Sequence, residues 1–362
     1  MRQLASIQLI EHLEPIEGKD RIVLASVLGW RVIVKKDEFN VGDKCVYCEI
    51  DSILPEKEEF EFLRKNNFRI RTMKMAGVYS QGICFPLSIL PEGNYNVGDD
   101  VTDIIGVKKW EPMEDERWWK ELKAEQRKKK WYEKLFLMKF KWYRKLVGHD
   151  NRAYKSGFPD FISKTDETRI QAAPFYLKDR DRKYVATEKI DGTSGTFVLL
   201  RHHHKFRKDT FEYMVCSRNM RLQKDNSIYW VVSDKYMIEM ALRNLIGNRD
   251  WVCIQGECIG PKIQKNKYGV EEPMMYVFNL VYPEGRMGSV EAKGLLETRG
   301  FNFVPIVNAN FSLPETVDEM VQAADGMSQI AHTEREGLVI RSKDGKTSFK
   351  AVSNKFLTKW SE

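Results

Sequence analysis

The chain of 362 residues is 42% hydrophobic and 31% charged, which is typical of a soluble globular protein with room for two domains. No apolar run approaches the ~20 residues of a membrane-spanning helix, and Met1–Pro15 lacks the apolar core of a secretory signal. The net charge of +7 is concentrated in one segment, because residues 117–145 carry twelve Lys or Arg and three Glu. We expect an intracellular, cytoplasmic protein with no membrane partner.

The six cysteines lack the spacing of a secreted disulfide framework. Cys45 and Cys48 form a single Cys-x-x-Cys pair, a pattern that also occurs in zinc and redox sites. The pair lies in the strand-like run Lys44–Ile50, where side chains three positions apart face opposite ways. No second pair complements it in the sequence, so we predict ordinary buried thiols.

Residues 1–107 are predicted to form a β-rich domain. Strand-like runs alternate with turn signals; the runs are Ser6–Ile10, Ile22–Val27, Trp30–Val34, Lys44–Ile50 and Gly82–Leu87. The turn sequence Asn-Val-Gly-Asp occurs at residues 40–43 and again at residues 96–99. This spacing predicts a compact β-barrel of about five strands, for which the OB-fold is the natural candidate and a small sandwich the alternative.

Residues 108–159 are predicted to form a basic helical linker. Apolar side chains recur there at spacings of four, three, four and four, which is the helical period; they are Trp131, Leu135, Met138, Trp142 and Leu146. Basic residues surround this stripe, including Lys128, Lys129 and Lys130. Three roles remain open: a helix packed on a domain, a contact with a nucleic-acid backbone, or a membrane-surface helix. The first two are compatible, because an apolar stripe can dock while the basic face stays open.

Residues 160–362 are predicted to form a mixed α/β domain, which makes the whole chain α+β. Strand-like segments alternate there with helices; they are Lys183–Lys189, Gly195–Leu200, Glu212–Ser217, Trp251–Gly256, Met275–Val281 and Gly337–Arg341. Helices are expected at Asp234–Ile246 between a Ser233 cap and Gly247, at Val290–Thr298, and at Pro314–Ala324. The run His202–His204 is interpreted as a hairpin loop rather than a metal site.

The stretch Val185–Ser194 reads Val-Ala-Thr-Glu-Lys-Ile-Asp-Gly-Thr-Ser. Alternation in an extended chain puts Lys189 and Asp191 on one face, and Gly192 permits close approach of a phosphate or sugar to the backbone. A lysine in this setting suits covalent catalysis by an amine at a phosphorus centre. Taken alone, the stretch fits a surface turn with a salt bridge equally well.

Five further stretches follow Lys189 in order; they are Ser217-Arg218-Asn219, Gln255-Gly256-Glu257, Tyr276-Val277-Phe278-Asn279, Glu336-Gly337-Leu338-Val339-Ile340-Arg341 and Phe349-Lys350-Ala351-Val352. Together with Lys189, they resemble the ordered motifs of ATP-dependent RNA ligases in the covalent nucleotidyltransferase superfamily. The resemblance covers roughly residues 160–362, and it is strongest to the RNA ligase 2-like subgroup that carries an N-terminal OB-like domain. It implies an ATP-grasp-like ligase domain at the C-terminal end of the chain.

The resemblance also implies a role for each motif residue. Lys189 would attack the α-phosphorus of ATP, and Lys350 together with Mg²⁺ (or Mn²⁺) would lower the pKa of its amine and stabilise the phosphate. Among the other implied nucleotide contacts, Glu257 would bind the ribose, Phe278 would stack on adenine and Arg218 would bind a phosphate. Glu188 and Gly192 would also contact the nucleotide. The implied carboxylates around the metal's water shell are Asp191, Glu257 and Glu336. A segment resembling this subgroup, with Lys164 and Arg169, would reach the leaving pyrophosphate; its alternative is an ordinary charged helix start.

Two departures from the family pattern refine the prediction. DNA ligases and capping enzymes typically carry arginine where this chain has Ser194, which favours RNA as the substrate and places Ser194 with Arg218 among the RNA contacts. The last motif usually has a second lysine where this chain has Val352, and Lys355, Lys359 and Arg341 are the candidates to compensate. In addition, only twelve residues follow Lys350, which disfavours an enzyme with a C-terminal OB domain.

These patterns predict an RNA ligase that seals 3′-OH and 5′-phosphate ends, through a lysyl-AMP intermediate and an adenylated 5′ end, and serves RNA repair. It is expected to act as a monomer. The alternatives are a DNA or mixed nick ligase, and a non-catalytic RNA-binding homologue.

Overall fold

A computed structural model describes residues 3–110 and 157–360. The chain divides into two compact units, one made of Met1–Val27 with Arg31–Ser156 and the other of Leu28–Trp30 with Gly157–Glu362. The predicted basic helical linker, including Lys128, Lys129 and Lys130, lies mostly outside the described residues. The predicted boundaries after residues 107 and 159 therefore stay a prediction.

The first unit is built from short strands. They are β1 Ala5–Leu9, β2 His12–Ile16, β3 Lys19–Val27, β4 Trp30–Lys35, β5 Lys44–Cys48, β6 Ser52–Ile53, β7 Arg69–Ile70, β8 Thr72–Met75, β9 Val78–Gln81, β10 Ile83–Phe85 and β11 Lys108–Lys109, with helix α1 at Thr102–Ile105. The sheets have the strand orders β1-β5-β10, β2-β3-β4 and β11-β6-β7, plus the hairpin β8-β9. The five expected strands are present, but within residues 3–110 the ladders form separate small sheets rather than one closed barrel.

The repeated Asn-Val-Gly-Asp turns have the same geometry. In each turn the aspartate carboxylate accepts a hydrogen bond of 2.7 Å from the asparagine backbone N–H, at Asn40 and at Asn96. Each glycine adopts the left-handed conformation, with φ of 91° at Gly42 and 95° at Gly98, which favours glycine. In each turn the glycine backbone N–H donates a hydrogen bond to a carbonyl oxygen. Gly98 bonds Ile7 in β1, and Gly42 bonds Ile10, which follows β1.

All six cysteines are buried and free, so the prediction of buried thiols is confirmed. Cys45 and Cys48 both lie in β5, which is buried on both faces. Burial raises the pKa of the Cys48 thiol, which is opposite to the lowered pKa of reactive thiols. Within the described ranges, no helix is long and apolar enough to cross a membrane.

The second unit contains two sheets. Its strands are β12 Tyr184–Lys189, β13 Thr193–His202, β14 Thr210–Cys216, β15 Arg221–Leu222, β16 Trp251–Ile259, β17 Met274–Tyr282, β18 Gly285–Arg286, β19 Asn302–Phe303, β20 Ile306–Phe311, β21 Gly337–Ser342 and β22 Ser348–Val352. One sheet has the order β20-β12-β21-β22; the other has the order β15-β14-β13-β16-β17-β18, with β19 parallel to β17. Only Ile190, Asp191 and Gly192 separate β12 from β13, so the predicted nucleophile lies where the chain passes from one sheet to the other.

The helices of this unit are α2 Ile228–Lys235, α3 Ile238–Leu245, α4 Ser289–Glu297, α5 Val317–Ala324 and α6 Asn354–Trp360. The prediction of a single helix at 234–246 is wrong, because the chain forms the two helices α2 and α3 there. Met237 lies between them in a left-handed conformation (φ 48°) that interrupts the helix. Ser233 is not a cap: it lies inside α2, and its hydroxyl is 2.6 Å from the Tyr213 hydroxyl. The helix expected from Pro314 begins later, since Thr316 and Glu319 form a capping box.

Candidate active site

Lys189 ends β12 and lies opposite Gly337 of β21, which follows Glu336 in the chain. This register brings the Lys189 Nζ to 2.6 Å from the Glu336 Oε2. The Lys189 side chain is 24% exposed and the Glu336 side chain 13%. Two residues that lie 147 positions apart in sequence therefore form a partly buried ion pair.

Glu257 comes to the same place from the other sheet. Ser194 of β13 is directly opposite Glu257 of β16, and the Ser194 hydroxyl donates a hydrogen bond of 2.9 Å to the Glu257 carboxylate. The predicted RNA contact Ser194 thus orients the predicted ribose contact.

Asp191 lies in the short connection between β12, which carries Lys189, and β13, which carries Ser194. Its carboxylate forms an ion pair with Lys267, and its backbone N–H donates a hydrogen bond of 2.8 Å to the Tyr268 hydroxyl. Sequence reasoning missed Lys267 and Tyr268, because they are 76 and 77 residues away from Asp191 and no local pattern marks them. We call Asp191, Glu257 and Glu336 the carboxylate cluster.

Gly192 is required for the close packing of the β12–β13 connection against strand β16. A Cβ at this position would overlap the Cys258 carbonyl oxygen and lie 2.9 Å from the Ile259 Cγ2. The close approach that glycine permits here is to strand β16. The expected close approach to a bound phosphate or sugar stays a prediction.

Burial dominates the electrostatics of the carboxylate cluster. It raises the pKa of Glu257 to about 7 and that of Asp191 to about 6, with further upward contributions from the neighbouring carboxylates. For Lys189, burial lowers the pKa, but the carboxylates of Glu336, Glu257 and Asp191 outweigh it and raise the pKa overall. The protein groups that face the amine are negative, so the predicted lowering of the Lys189 pKa by Lys350 and a divalent cation stays a prediction.

The chemistry of the carboxylate cluster fits a divalent cation. Lys189 interacts with all three carboxylates and Lys267 pairs with Asp191, so the formal charges of these five groups leave one negative charge in excess. In the described part of the chain, no three His, Cys, Asp or Glu side chains converge closely enough to hold an ion directly. The excess negative charge fits a hydrated Mg²⁺ or Mn²⁺, a cation that keeps most of its waters.

Glu188 is buried at the end of β12, and burial raises its pKa. Its carboxylate accepts hydrogen bonds from the Ser328 hydroxyl at 2.5 Å and from the Gln329 backbone N–H at 2.8 Å. The side chain thus anchors the loop between α5 and β21. Any contact of Glu188 with a nucleotide would have to use its backbone.

Phe278 lies in an irregularity of the seven-stranded sheet. Gln255 pairs with Asn279 and the next residue, Gly256, pairs with Val277, so Phe278 has no partner across the strand and forms a β-bulge. The ring is half-buried, and the Arg341 guanidinium lies 5.9 Å from its centroid. Glu257 lies opposite Tyr276 in the same ladder, so the predicted adenine and ribose contacts lie on adjacent strands.

Asp166 links two predicted phosphate contacts, Arg218 and Lys350. It forms an ion pair with Arg218 and lies 3.8 Å from the Lys350 Nζ. The Thr168 carbonyl oxygen accepts a hydrogen bond of 2.8 Å from the Lys350 backbone N–H, so this segment runs alongside β22. Of the predicted pyrophosphate contacts in it, Lys164 is exposed and Arg169 is buried.

The residues expected to compensate for Val352 lie in other environments. Val352 itself is buried in β22. Lys355 forms an ion pair of 3.2 Å with Asp325, Arg341 forms one of 3.2 Å with Glu167, and the Lys359 Nζ lies 5.7 Å from the Trp360 ring. Lys267, by contrast, pairs with Asp191 of the carboxylate cluster.

Comparison with known proteins agrees with this geometry. Residues 4–87 match an OB-fold domain model, and residues 182–360 match the RNA ligase family model. The structure of Naegleria gruberi RNA ligase with PPi is 30% identical, aligns over 99% of this chain and 98% of that chain, and has a TM-score of 0.78. The chain belongs to the RNA ligase family.

Two variants of the Naegleria gruberi RNA ligase, one with ATP and Mn and one with AMP and Mn, are each 29% identical with a TM-score of 0.78 and 98% coverage of both chains. No curated protein matches the chain significantly by sequence. The predictions of an RNA ligase, of an α+β fold and of an N-terminal OB-fold domain are confirmed. The predicted use of ATP and a divalent metal agrees with the ligands of these relatives.

Proposed function

We propose that this protein is an ATP-dependent RNA ligase in which Lys189 is the nucleophile and which joins a 3′-OH end to a 5′-phosphate end. The observation that carries the proposal is the Lys189 amine, 2.6 Å from Glu336 and close to the partly buried carboxylates of Asp191 and Glu257. The Glu336 carboxylate lies within hydrogen-bond distance of the amine and can accept the proton that the amine loses when it attacks phosphorus. Family membership supports the same reaction.

The reaction has three steps. In the first, the Lys189 Nζ forms a bond to the α-phosphorus of ATP, the bond from that phosphorus to the pyrophosphate oxygen breaks, and a proton leaves the amine. The distance of Lys189 to Glu336 supports this carboxylate as the proton acceptor. AMP then moves from Lys189 to the 5′-phosphate of the RNA, and finally the 3′-hydroxyl attacks that phosphate and expels AMP.

A hydrated divalent cation beside Asp191, Glu257 and Glu336 would supply positive charge that lowers the pKa of Lys189 and stabilises the phosphate. The carboxylates contribute by holding that charge close to Lys189. Lys350 supplies a second positive charge on the phosphate, and its position beside Asp166 and Arg218 supports this role.

The remaining contacts divide between nucleotide and RNA. Phe278 stacks on adenine, Glu257 accepts from the ribose hydroxyls, and the backbone near Glu188 and Gly192 borders the nucleotide. Lys164 and Arg169 reach the pyrophosphate. The proposed RNA contacts are Ser194, Arg218, Lys128, Lys129 and Lys130. The protein acts as a monomer in the cytoplasm, and its substrate chemistry suits the repair of broken RNA.

The test of the nucleophile is covalent labelling. Incubation with α-labelled ATP and Mg²⁺ should leave covalent label on the full-length protein and on Lys183→Met, and this label should survive alkali and be released by acid, as expected for a P–N bond. Lys183 is an exposed lysine near β12 whose Nζ bonds the Ser312 hydroxyl at 3.0 Å. Lys189→Met should carry no label, because its side chain fills the same space without an amine. Label that persists on Lys189→Met would overturn the proposal.

A further inference from the structure

Lys267 is held more firmly than a surface lysine. Its side chain is 9% exposed and pairs with Asp191. The Nζ lies 4.8 Å from the Phe356 ring and 5.5 Å from the Trp360 ring, both on α6. Aromatic faces attract cations, so the ammonium group is fixed between the rings and the carboxylate.

The backbone before Lys267 is strained. Gln264, Lys265 and Asn266 are three consecutive non-glycine residues with positive φ, of 45°, 58° and 48°. The Asn266 side chain clamps the loop by donating to the Val270 carbonyl at 2.9 Å and accepting from the Val270 N–H at 3.0 Å. A left-handed conformation costs free energy and persists where surrounding contacts enforce it, often at functional sites.

The reaction itself changes the charge around this lysine. Before adenylation, Lys189 and Lys267 both offset the carboxylate cluster. When Lys189 becomes lysyl-AMP, its positive charge is lost and a negative phosphate takes its place. Lys267 is then the remaining ammonium group of the two, beside carboxylates in a partly buried setting where unbalanced charge is costly.

We propose that Lys267 is the fixed countercharge of the lysyl-AMP intermediate and positions Asp191 beside it. The inference rests on the proposed function, since it takes Lys189 as the residue that carries AMP. Lys267 acts through charge and through Asp191 rather than by bond formation. It therefore sets how favourable the intermediate is relative to free enzyme and ATP.

The experiment measures the equilibrium of the first step. Full-length protein is adenylated with labelled ATP and Mg²⁺, pyrophosphate is titrated in, and the fraction that retains AMP is measured after equilibrium is reached. Lys267→Met, which keeps the apolar stem against Phe356 and Trp360, should lower the equilibrium constant for adenylation by about tenfold or more, because a hydrogen-bonded charge is lost. Lys267→Arg should restore most of it.

Lys224→Met is the matched control, because Lys224 also pairs with an aspartate, Asp234, at 3.2 Å, and its Nζ lies 5.4 Å from the Trp230 ring. This variant should leave the equilibrium unchanged. Thermal unfolding of each variant shows whether the fold is retained, and Lys267→Gln replaces Lys267→Met if the latter does not fold.

Two results would overturn the inference: a wild-type equilibrium in the neutral Lys267 variant, or an Arg variant as defective as the neutral one. Both are distinct from a failure of the proposed function. That failure would appear as label on Lys189→Met, whereas here Lys189 would still carry AMP.

Discussion

Glu257 illustrates at the scale of one residue how this site trades stability for function. Burial raises the pKa of the Glu257 carboxyl group to about 7, whereas an exposed glutamate has a pKa of about 4.3. The folded protein therefore binds the proton more tightly than the unfolded chain does. Between these two pKa values, ionisation favours the unfolded chain, so Glu257 destabilises the fold progressively as the pH rises and most strongly above pH 7.

Replacing Glu257 by Gln should therefore stabilise the protein at pH 8 and have little effect at pH 4. The amide remains neutral at both values and can keep a hydrogen bond to Ser194. We expect a rise in Tm of roughly 2–4 °C at pH 8, which corresponds to about 1 kcal/mol in a domain of this size. The same variant should lose ATP-dependent labelling of Lys189. An equal change in Tm at both pH values would contradict the assigned pKa.

At the scale of the element, the pairing of β21 with β22 decides where Glu336 and Lys350 lie. Gly337 faces Val352 in this ladder, and a Cβ on Gly337 would overlap the Ala351 carbonyl oxygen and lie 2.9 Å from the Val352 Cα. Backbone atoms cannot move aside without opening the ladder. Gly337 is therefore needed for the two strands to approach each other beside Lys189.

Gly337→Ala should lower the free energy of unfolding by about 1–3 kcal/mol, the usual cost of overpacking, and should also reduce labelling of Lys189. Gly294→Ala is the control, because a Cβ there meets nothing within 4 Å and the position lies inside α4. Alanine is favoured over glycine in a helix by up to about 1 kcal/mol, so this variant should be neutral or more stable. Urea unfolding of both variants measures the difference. A Gly337→Ala protein as stable as wild type would show that the β21–β22 ladder can accommodate a Cβ at residue 337.

The elements also show what the sequence could and could not predict. Strands β12, β13, β16, β17 and β21 carry strong β-branched or apolar runs, and each was predicted within a few residues. The break at Met237 was missed, because helical periodicity continues through it and a single left-handed residue leaves no mark in the pattern. The ion pair of Lys267 with Asp191 was missed for a related reason: it depends on how β12 and the loop after β16 meet in space.

For the whole molecule, charge is divided along the chain rather than spread over it. Residues 117–145 hold an excess of nine positive charges, whereas the net charge of the chain is +7, so the remainder is slightly acidic. The predicted nucleotide contacts all lie after residue 160, outside this basic segment. This separation implies that adenylation and RNA binding can be weakened independently.

Replacing Lys128, Lys129 and Lys130 by Gln should therefore weaken RNA binding and leave adenylation of Lys189 intact. Each phosphate contact that is lost should reduce the slope of log affinity against log salt concentration by roughly 0.7–0.9, because fewer counterions are released on binding. The same positions changed to Arg are the control and should keep the wild-type slope. Binding of a 5′-phosphorylated RNA, measured over a series of salt concentrations, gives the slope, and α-labelled ATP gives the adenylation level in the same preparations. If the Gln variant binds RNA as tightly as wild type at every salt concentration, the segment does not contact phosphates. RNA affinity would then have to come from Arg218, Ser194 and other surfaces of the chain.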